Sequence, residues 1–277
     1  MIQDWDDAYA NSPRIPGAAD YPPKWARDAA GFRQAMTGSD RAELDIPYGA
    51  GPRDRLDLFR PVGAAKGLAV FVHGGYWMAF DKSSWSHLAA GAVARGWAVA
   101  MPSYTLCPEA RISEITRQVG KAVAAAADRI AGPIRLAGHS AGGHLVTRMA
   151  CTDGPMPEPL RARLARVASI SGLHDLRPLM RTRMNATLRL DAAEAEAESA
   201  ALREPLPGLD LLCWVGADER PEFRRQNALL ANIWAGLGAR TAAVEAAGRH
   251  HFDVIADLSD PDSPLVEAWV GGSAASA

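Results

Sequence analysis

The stretch Gly138-His139-Ser140-Ala141-Gly142 constrains this chain more than any other. It follows a short apolar run, Ile134-Arg135-Leu136-Ala137, and precedes a helix-like run from Ala141 to Ala150. Glycines flanking a serine at a strand-to-helix boundary fit a turn too crowded for Cβ atoms. Such a turn lifts one hydroxyl above the end of a sheet, which makes Ser140 the candidate nucleophile. Alone, the pattern also describes an ordinary glycine-rich turn. The nucleophile reading therefore requires an oxyanion-binding loop upstream and an acid followed by a histidine downstream.

The upstream loop is His73-Gly74-Gly75-Tyr76-Trp77, directly after the apolar run Leu68–Val72. Tetrahedral intermediates of acyl transfer carry charge on one oxygen, and backbone N–H groups aimed at it stabilise them. The expected donors are the amides of Gly75 and Tyr76, joined by that of Ala141 after the nucleophile.

Downstream, the run 211–215 leads into Gly216-Ala217-Asp218-Glu219-Arg220-Pro221-Glu222-Phe223. A carboxylate here suits the task of orienting an imidazole, and both Asp218 and Glu219 qualify. The last apolar run, 242–245, is followed by Gly248-Arg249-His250-His251-Phe252-Asp253. A histidine in that loop suits a general base. Adjacent residues point in different directions, so only one of His250 and His251 can meet Ser140. Metal ligation by His250, His251 and Asp253 is not expected, since neighbouring histidines seldom chelate one ion.

Around these motifs strands and helices alternate. Strand signals fall at 43–47, 55–60, 68–72, 98–101, 134–137, 167–170, 211–215 and 242–245. The first two are antiparallel in type, and the other six suit strands buried on both faces of a parallel sheet. Ile112, Ile115, Val119, Val123, Ala126 and Ile130 form one helical stripe; Phe223, Leu230, Ile233, Trp234 and Leu237 form another. This alternation predicts an α/β fold with a predominantly parallel sheet.

Residues 1–40 are rich in proline and aromatics and read as an N-terminal arm with one or two short helices. The main domain spans 41–265. Within it, about 172–207 breaks the pattern and reads equally as a cap insertion or a solvated surface helix pair. Residues 266–277 form a tail, expected to be disordered from Gly271 on. Tyr76, Trp77, Phe80 and Trp85 are candidates to line an apolar pocket for an aryl group. For Trp77 and Trp85 a core position is an equal alternative. Arg181 or Arg183 is a candidate partner for a substrate carboxylate, with a solvated position as the alternative.

The chain has 277 residues, 48% of them hydrophobic, enough for one large core. Its formal net charge of −2, with acids and bases interspersed, excludes neither sign of small ligand but gives no footprint for nucleic acid or an anionic membrane. No apolar run reaches the roughly 20 residues a bilayer requires. The acidic start, Met1-Ile2-Gln3-Asp4-Trp5-Asp6-Asp7, lacks the apolar stretch of a secretion leader. Cys107, Cys151 and Cys213 form no metal or redox motif and suit buried thiols in a cytoplasmic protein.

Together the motifs resemble the α/β-hydrolase superfamily. More narrowly they resemble its kynurenine formamidase (arylformamidase) branch, near the hormone-sensitive-lipase-like esterases. The resemblance covers most of 40–260. It is carried by His73 to Trp77, by Gly138 to Leu145, by Pro221-Glu222-Phe223 and by His251-Phe252. It implies an α/β-hydrolase fold: a mostly parallel eight-stranded sheet, helices on both faces and a small cap. In formamidase-like sequences the catalytic histidine directly precedes phenylalanine, which selects His251. Their acid lies two positions before the Pro-Glu-Phe tripeptide, which selects Glu219 in place of the usual aspartate, with Asp218 as the alternative. The Asp7-Ala8-Tyr9-Ala10-Asn11 segment resembles the arm that helps cover the site in these relatives. The implied activity is a serine hydrolase cleaving a formamide or ester of a small aromatic substrate, as in conversion of N-formylkynurenine to kynurenine and formate. A general carboxylesterase is the alternative, and a non-catalytic binding protein on the same scaffold is the second. No cofactor or metal is implied, and the only partner is a small-molecule substrate. Oligomeric state stays open, a homodimer included.

Overall fold

Eight strands form one sheet in the computed structural model, which describes residues 2–272. They are β1 Ala42–Pro47, β2 Arg55–Phe59, β3 Leu68–Val72, β4 Ala98–Pro102, β5 Ile134–His139, β6 Leu164–Ile170, β7 Asp210–Gly216 and β8 Arg240–Ala246. Their order is β1-β2-β4-β3-β5-β6-β7-β8. β2 is antiparallel to both neighbours, and every other pairing is parallel. The helices are α1 Trp5–Tyr9, α2 Tyr21–Gly38, α3 Ala90–Ala94, α4 Ile112–Ala127 and α5 Ala141–Met149. They continue with α6 Glu158–Arg161, α7 Asn185–Leu188, α8 Ala192–Ala197, α9 Pro221–Gly236 and α10 Pro264–Val270.

Side chains of a strand alternate between faces, and the sheet uses both. Leu68, Val70 and Val72 of β3 pack with Ile112 and Ile115 of α4, Leu145 of α5 and Trp234 of α9. Ala69 and Phe71 join the opposite core with Trp25 of α2, Ala92 of α3 and Trp269 of α10. A sheet covered on both faces explains why β3, β4 and β5 read as unbroken buried runs.

Three expectations need correction, and the packing decides one open alternative. The arm contains an 18-residue helix, α2, besides the short α1. Three residues of α2, Trp25, Ala29 and Met36, are buried, and Trp25 and Met36 hold it against the second core. Strand β8 is a half-exposed edge, whereas full burial on both faces was expected. The tail does not begin at 266, because α10 runs to Val270 and buries Trp269 and Val270. The remainder of the expected disordered tail, 273–277, lies outside the described residues. Between β6 and β7, the segment 177–202 folds as α7, α8 and short 3-10 turns, and it buries Leu179, Leu188, Ala195 and Ala200. It is packed against the body, not a solvated pair.

From β3 the chain moves to β4 on one side, then returns to β5 on the other. Parallel sheets leave a crevice beyond the strand ends where the order switches. The two glycine motifs emerge there, one from β3 and one from β5.

Candidate active site

Ser140 sits between β5 and α5 with φ 55° and ψ −117°, a conformation costly for a residue with a Cβ. Surrounding structure enforces it. The Ser140 amide donates to the Ile170 carbonyl of β6 at 2.8 Å. The flanking glycines admit no side chain: a Cβ on Gly138 would lie 2.1 Å from the Gly142 carbonyl oxygen, and one on Gly142 2.0 Å from that of Val72. The serine is 2% exposed, and its exposed edge faces a cavity.

The loop after β3 is equally constrained, with positive φ at Gly75, Tyr76, Trp77 and Phe80. The amides of Gly75 and Tyr76 donate to no described residue. Ala141 opens α5, where the first amides of a helix lack intrahelical acceptors and the helix dipole is positive. Gly75 and Tyr76 line the same cavity as Ser140, and Ala141 follows it directly in the chain.

His251 and Glu219 meet from the loops after β8 and β7. His251 Nδ1 lies 2.6 Å from Glu219 Oε2, with both side chains buried. The other carboxylate oxygen, Oε1, accepts from the Gly216 amide at 2.8 Å and from the Ser171 hydroxyl at 2.5 Å. A carboxylate so filled cannot rotate, and it fixes the imidazole tautomer with the proton on Nδ1. Asp218 is exposed and does not contact His251. His250 turns away, its Nε2 3.0 Å from the Tyr21 hydroxyl. Ser140 and His251 line the same cavity. Among the described residues the Ser140 hydroxyl makes no hydrogen bond.

That cavity holds about 450 Å³ and has mostly apolar walls. Tyr76, Phe80 and Trp85 line it, with Trp25 and Phe252 in edge contact with Phe80 or with each other. Trp77 does not line it: this ring is fully buried in the first core, edge-on to His144 at 5.2 Å. The turn at Tyr76 and Trp77 sends successive side chains opposite ways, so only one faces the cavity. Arg181 and Arg183 do not reach it either. Arg181 lies over the Trp5 ring, and Arg183, 93% exposed at its side chain, pairs with Asp6 at 3.0 Å.

Several wall and support residues were not individual site candidates in the sequence, although Tyr9 and Asn11 belong to the Asp7–Asn11 segment that resembles a covering arm. Asp6, Tyr9, Asn11 and Trp25 come from the arm, and Met184 from the segment between β6 and β7. His139 packs on the His251 ring at 4.6 Å and donates from Nε2 to the His251 carbonyl at 2.9 Å. Burial, helped by the neighbouring His251, holds its pKa well below the usual histidine value, so this imidazole stays neutral. Ser171, at the end of β6 with φ 53°, supplies the hydroxyl on Glu219. A small polar residue directly after a parallel strand beside β7 was the one available hint.

The chain belongs to the α/β-hydrolase fold family, whose model matches residues 69–251. A kynurenine formamidase from Danio rerio is 26% identical over 247 residues, covering 83% of this chain and 84% of the relative. A solved structure from Silicibacter sp. tm1040, described as a candidate thioesterase, is 55% identical with TM-score 0.91, covering 95% of this chain and 98% of that one. An esterase from Pyrobaculum calidifontis shares the fold at 21% identity and TM-score 0.65, covering 92% and 91%. No described helix is long and apolar enough to cross a membrane.

Proposed function

We propose that this enzyme is a serine hydrolase acting on formamides or esters of small aromatic compounds through an acyl-enzyme. The Ser140 Oγ attacks the formyl or acyl carbon, and His251 Nε2 takes its proton. Glu219 holds the imidazole and stabilises the imidazolium. The new oxyanion lies among the amides of Gly75, Tyr76 and Ala141. As the C–N or C–O bond breaks, His251 returns the proton to the leaving amine or alcohol. Water, activated by His251, then releases the acid from Ser140. With N-formylkynurenine the products are kynurenine and formate. The observation that carries this reading is the 2.6 Å contact of His251 with Glu219, with His251 and the strained Ser140 lining one cavity. Ser140 and His251 line one cavity, and catalytic hydrogen bonds that are long in a free enzyme tighten when substrate binds. Three free, buried thiols support a cytoplasmic setting.

A carboxylesterase is the second reading, and one observation favours it. Among the described residues no arginine or lysine lines the cavity, so an uncharged substrate suits it better than one bearing a carboxylate. The test is labelling by a fluorophosphonate, followed by turnover of N-formylkynurenine and p-nitrophenyl acetate. Labelling at Ser140 with formamide turnover is the expected result. Fast ester cleavage without formamide turnover selects the second reading. No labelling and no turnover rejects both and leaves a binding protein on a hydrolase scaffold.

A further inference from the structure

Asn11 lies in the cavity wall with only 5% of its surface exposed. Its Nδ2 donates to the Tyr76 hydroxyl at 3.0 Å. The single proton of that hydroxyl goes to the Tyr9 carbonyl, which has none to give. The phenol oxygen therefore only accepts from Asn11, and this fixes which end of the carboxamide faces Tyr76. The amide nitrogen points to the phenol, and Oδ1 points elsewhere. Oδ1 accepts no hydrogen bond from any described residue and keeps accessible surface, on a residue that lines the cavity.

The arrangement is rigid. Tyr9 is buried, and its phenol donates to Glu222 Oε1 at 2.6 Å. Glu222 is gripped in turn by Arg225 through two nitrogens, at 2.6 and 2.8 Å. The Tyr9 carbonyl, Tyr76 and Asn11 are thus set before any ligand arrives, which lowers the ordering cost of binding.

We infer that Asn11 is a specificity-determining residue that presents Oδ1 to an N–H on the substrate. The inference rests on the hydrolase reading above. An acceptor fixed in an aromatic wall is left unmet by a ligand with no donor, and sites of this kind discriminate strongly against such ligands. Aryl formamides with a free N–H are therefore favoured over those lacking it.

The test is a cycle between residue and substrate proton. kcat/KM is measured for formanilide and N-methylformanilide with the natural protein and with Asn11→Leu. N-methylation costs about tenfold or more in the natural protein and less than about threefold in the variant. An equal cost in both overturns the inference, because the methyl group then acts through size or leaving-group chemistry. Asn11→Ser serves for the same cycle if the leucine variant does not fold. Tyr76→Phe, which frees the carboxamide to turn, narrows the difference as well. Fluorophosphonate labelling and p-nitrophenyl acetate turnover of the natural protein keep the two readings apart. An active, labelled enzyme with an unchanged cycle defeats the role of Asn11 alone, whereas an unlabelled and inactive one defeats both.

Discussion

Ser140, Glu219 and His251 stand at the ends of β5, β7 and β8, whereas the facing wall from Asp6 to Trp25 belongs to a segment with no strand of its own. The first region gets its geometry from the sheet. Strand register sets each loop's origin to within a residue, and glycines with no room for a Cβ force the backbone at Ser140. The second region gets its geometry from a few long-range polar contacts and aromatic packing. Tyr9 reaches Glu222, Asp7 reaches Arg220, and Trp25 packs on Trp85 at 4.6 Å. On the proposed reading, chemistry that tolerates little displacement rests on the sheet, and the surface that selects a ligand rests on the more replaceable arm.

This contrast is sharpest at Ser140. Ser140→Ala is expected to cut kcat about 10⁴-fold or more and abolish fluorophosphonate labelling, with a native far-UV spectrum. Activity close to natural would break the comparison outright. Next comes the acid: Glu219→Gln costs roughly 10³-fold in kcat, and Asp218→Asn less than about twofold, by steady-state kinetics. Reversed values would move the acid to Asp218.

Acid should loosen the sheet side. Burial pushes His73 to about 4 and His144 and His174 to about 3. Below about pH 6.5 the unfolded chain therefore binds protons that the folded protein refuses, and stability is lost as pH falls toward those values. Each group costs about 1.4 kcal/mol per pH unit within that window and nothing above it. Urea unfolding at pH 7.5, 6 and 5 reads this slope, and a flat profile would refute it. On the arm, Tyr9→Phe removes a buried hydrogen bond from Glu222 and should cost about 1–2 kcal/mol in the same assay. The smallest effect is Arg183→Ala. Its exposed pair with Asp6 is worth less than about 0.5 kcal/mol, and KM should not change.

The asymmetry between the two regions also decides what the sequence discloses. All eight strands were legible because each run has the right length and spacing, although β1 is buried at Ile46 alone and β8 misled about exposure. The serine and the amide-bearing loop carried a local signal because their backbone demands glycine beside them, whereas His251 was singled out from His250 only through the resemblance, by the phenylalanine that follows it. Burial then distinguishes two acids that look alike in sequence: the Glu219 side chain turns inward to Gly216 and Ser171, while Asp218 stays in solvent. Trp77 and Tyr76 are adjacent and equally aromatic, and only the positive φ at both reveals that one faces the core and the other the cavity. The arm residues Tyr9, Asn11 and Trp25 owe their places to partners 60 to 213 positions away, as Tyr9 does to Glu222 and Trp25 to Trp85. No local pattern records such pairings.

Glu219 lies two residues before α9 and Glu222 in its first turn, one holding His251 and the other the arm. Protein engineers seeking a roomier or differently shaped binding chamber would naturally reshape the amino-terminal segment. Here that edit reaches Glu222, three positions from the carboxylate proposed to orient His251. Libraries that vary the segment should co-vary the opening of α9, or selectivity will be gained at the expense of turnover.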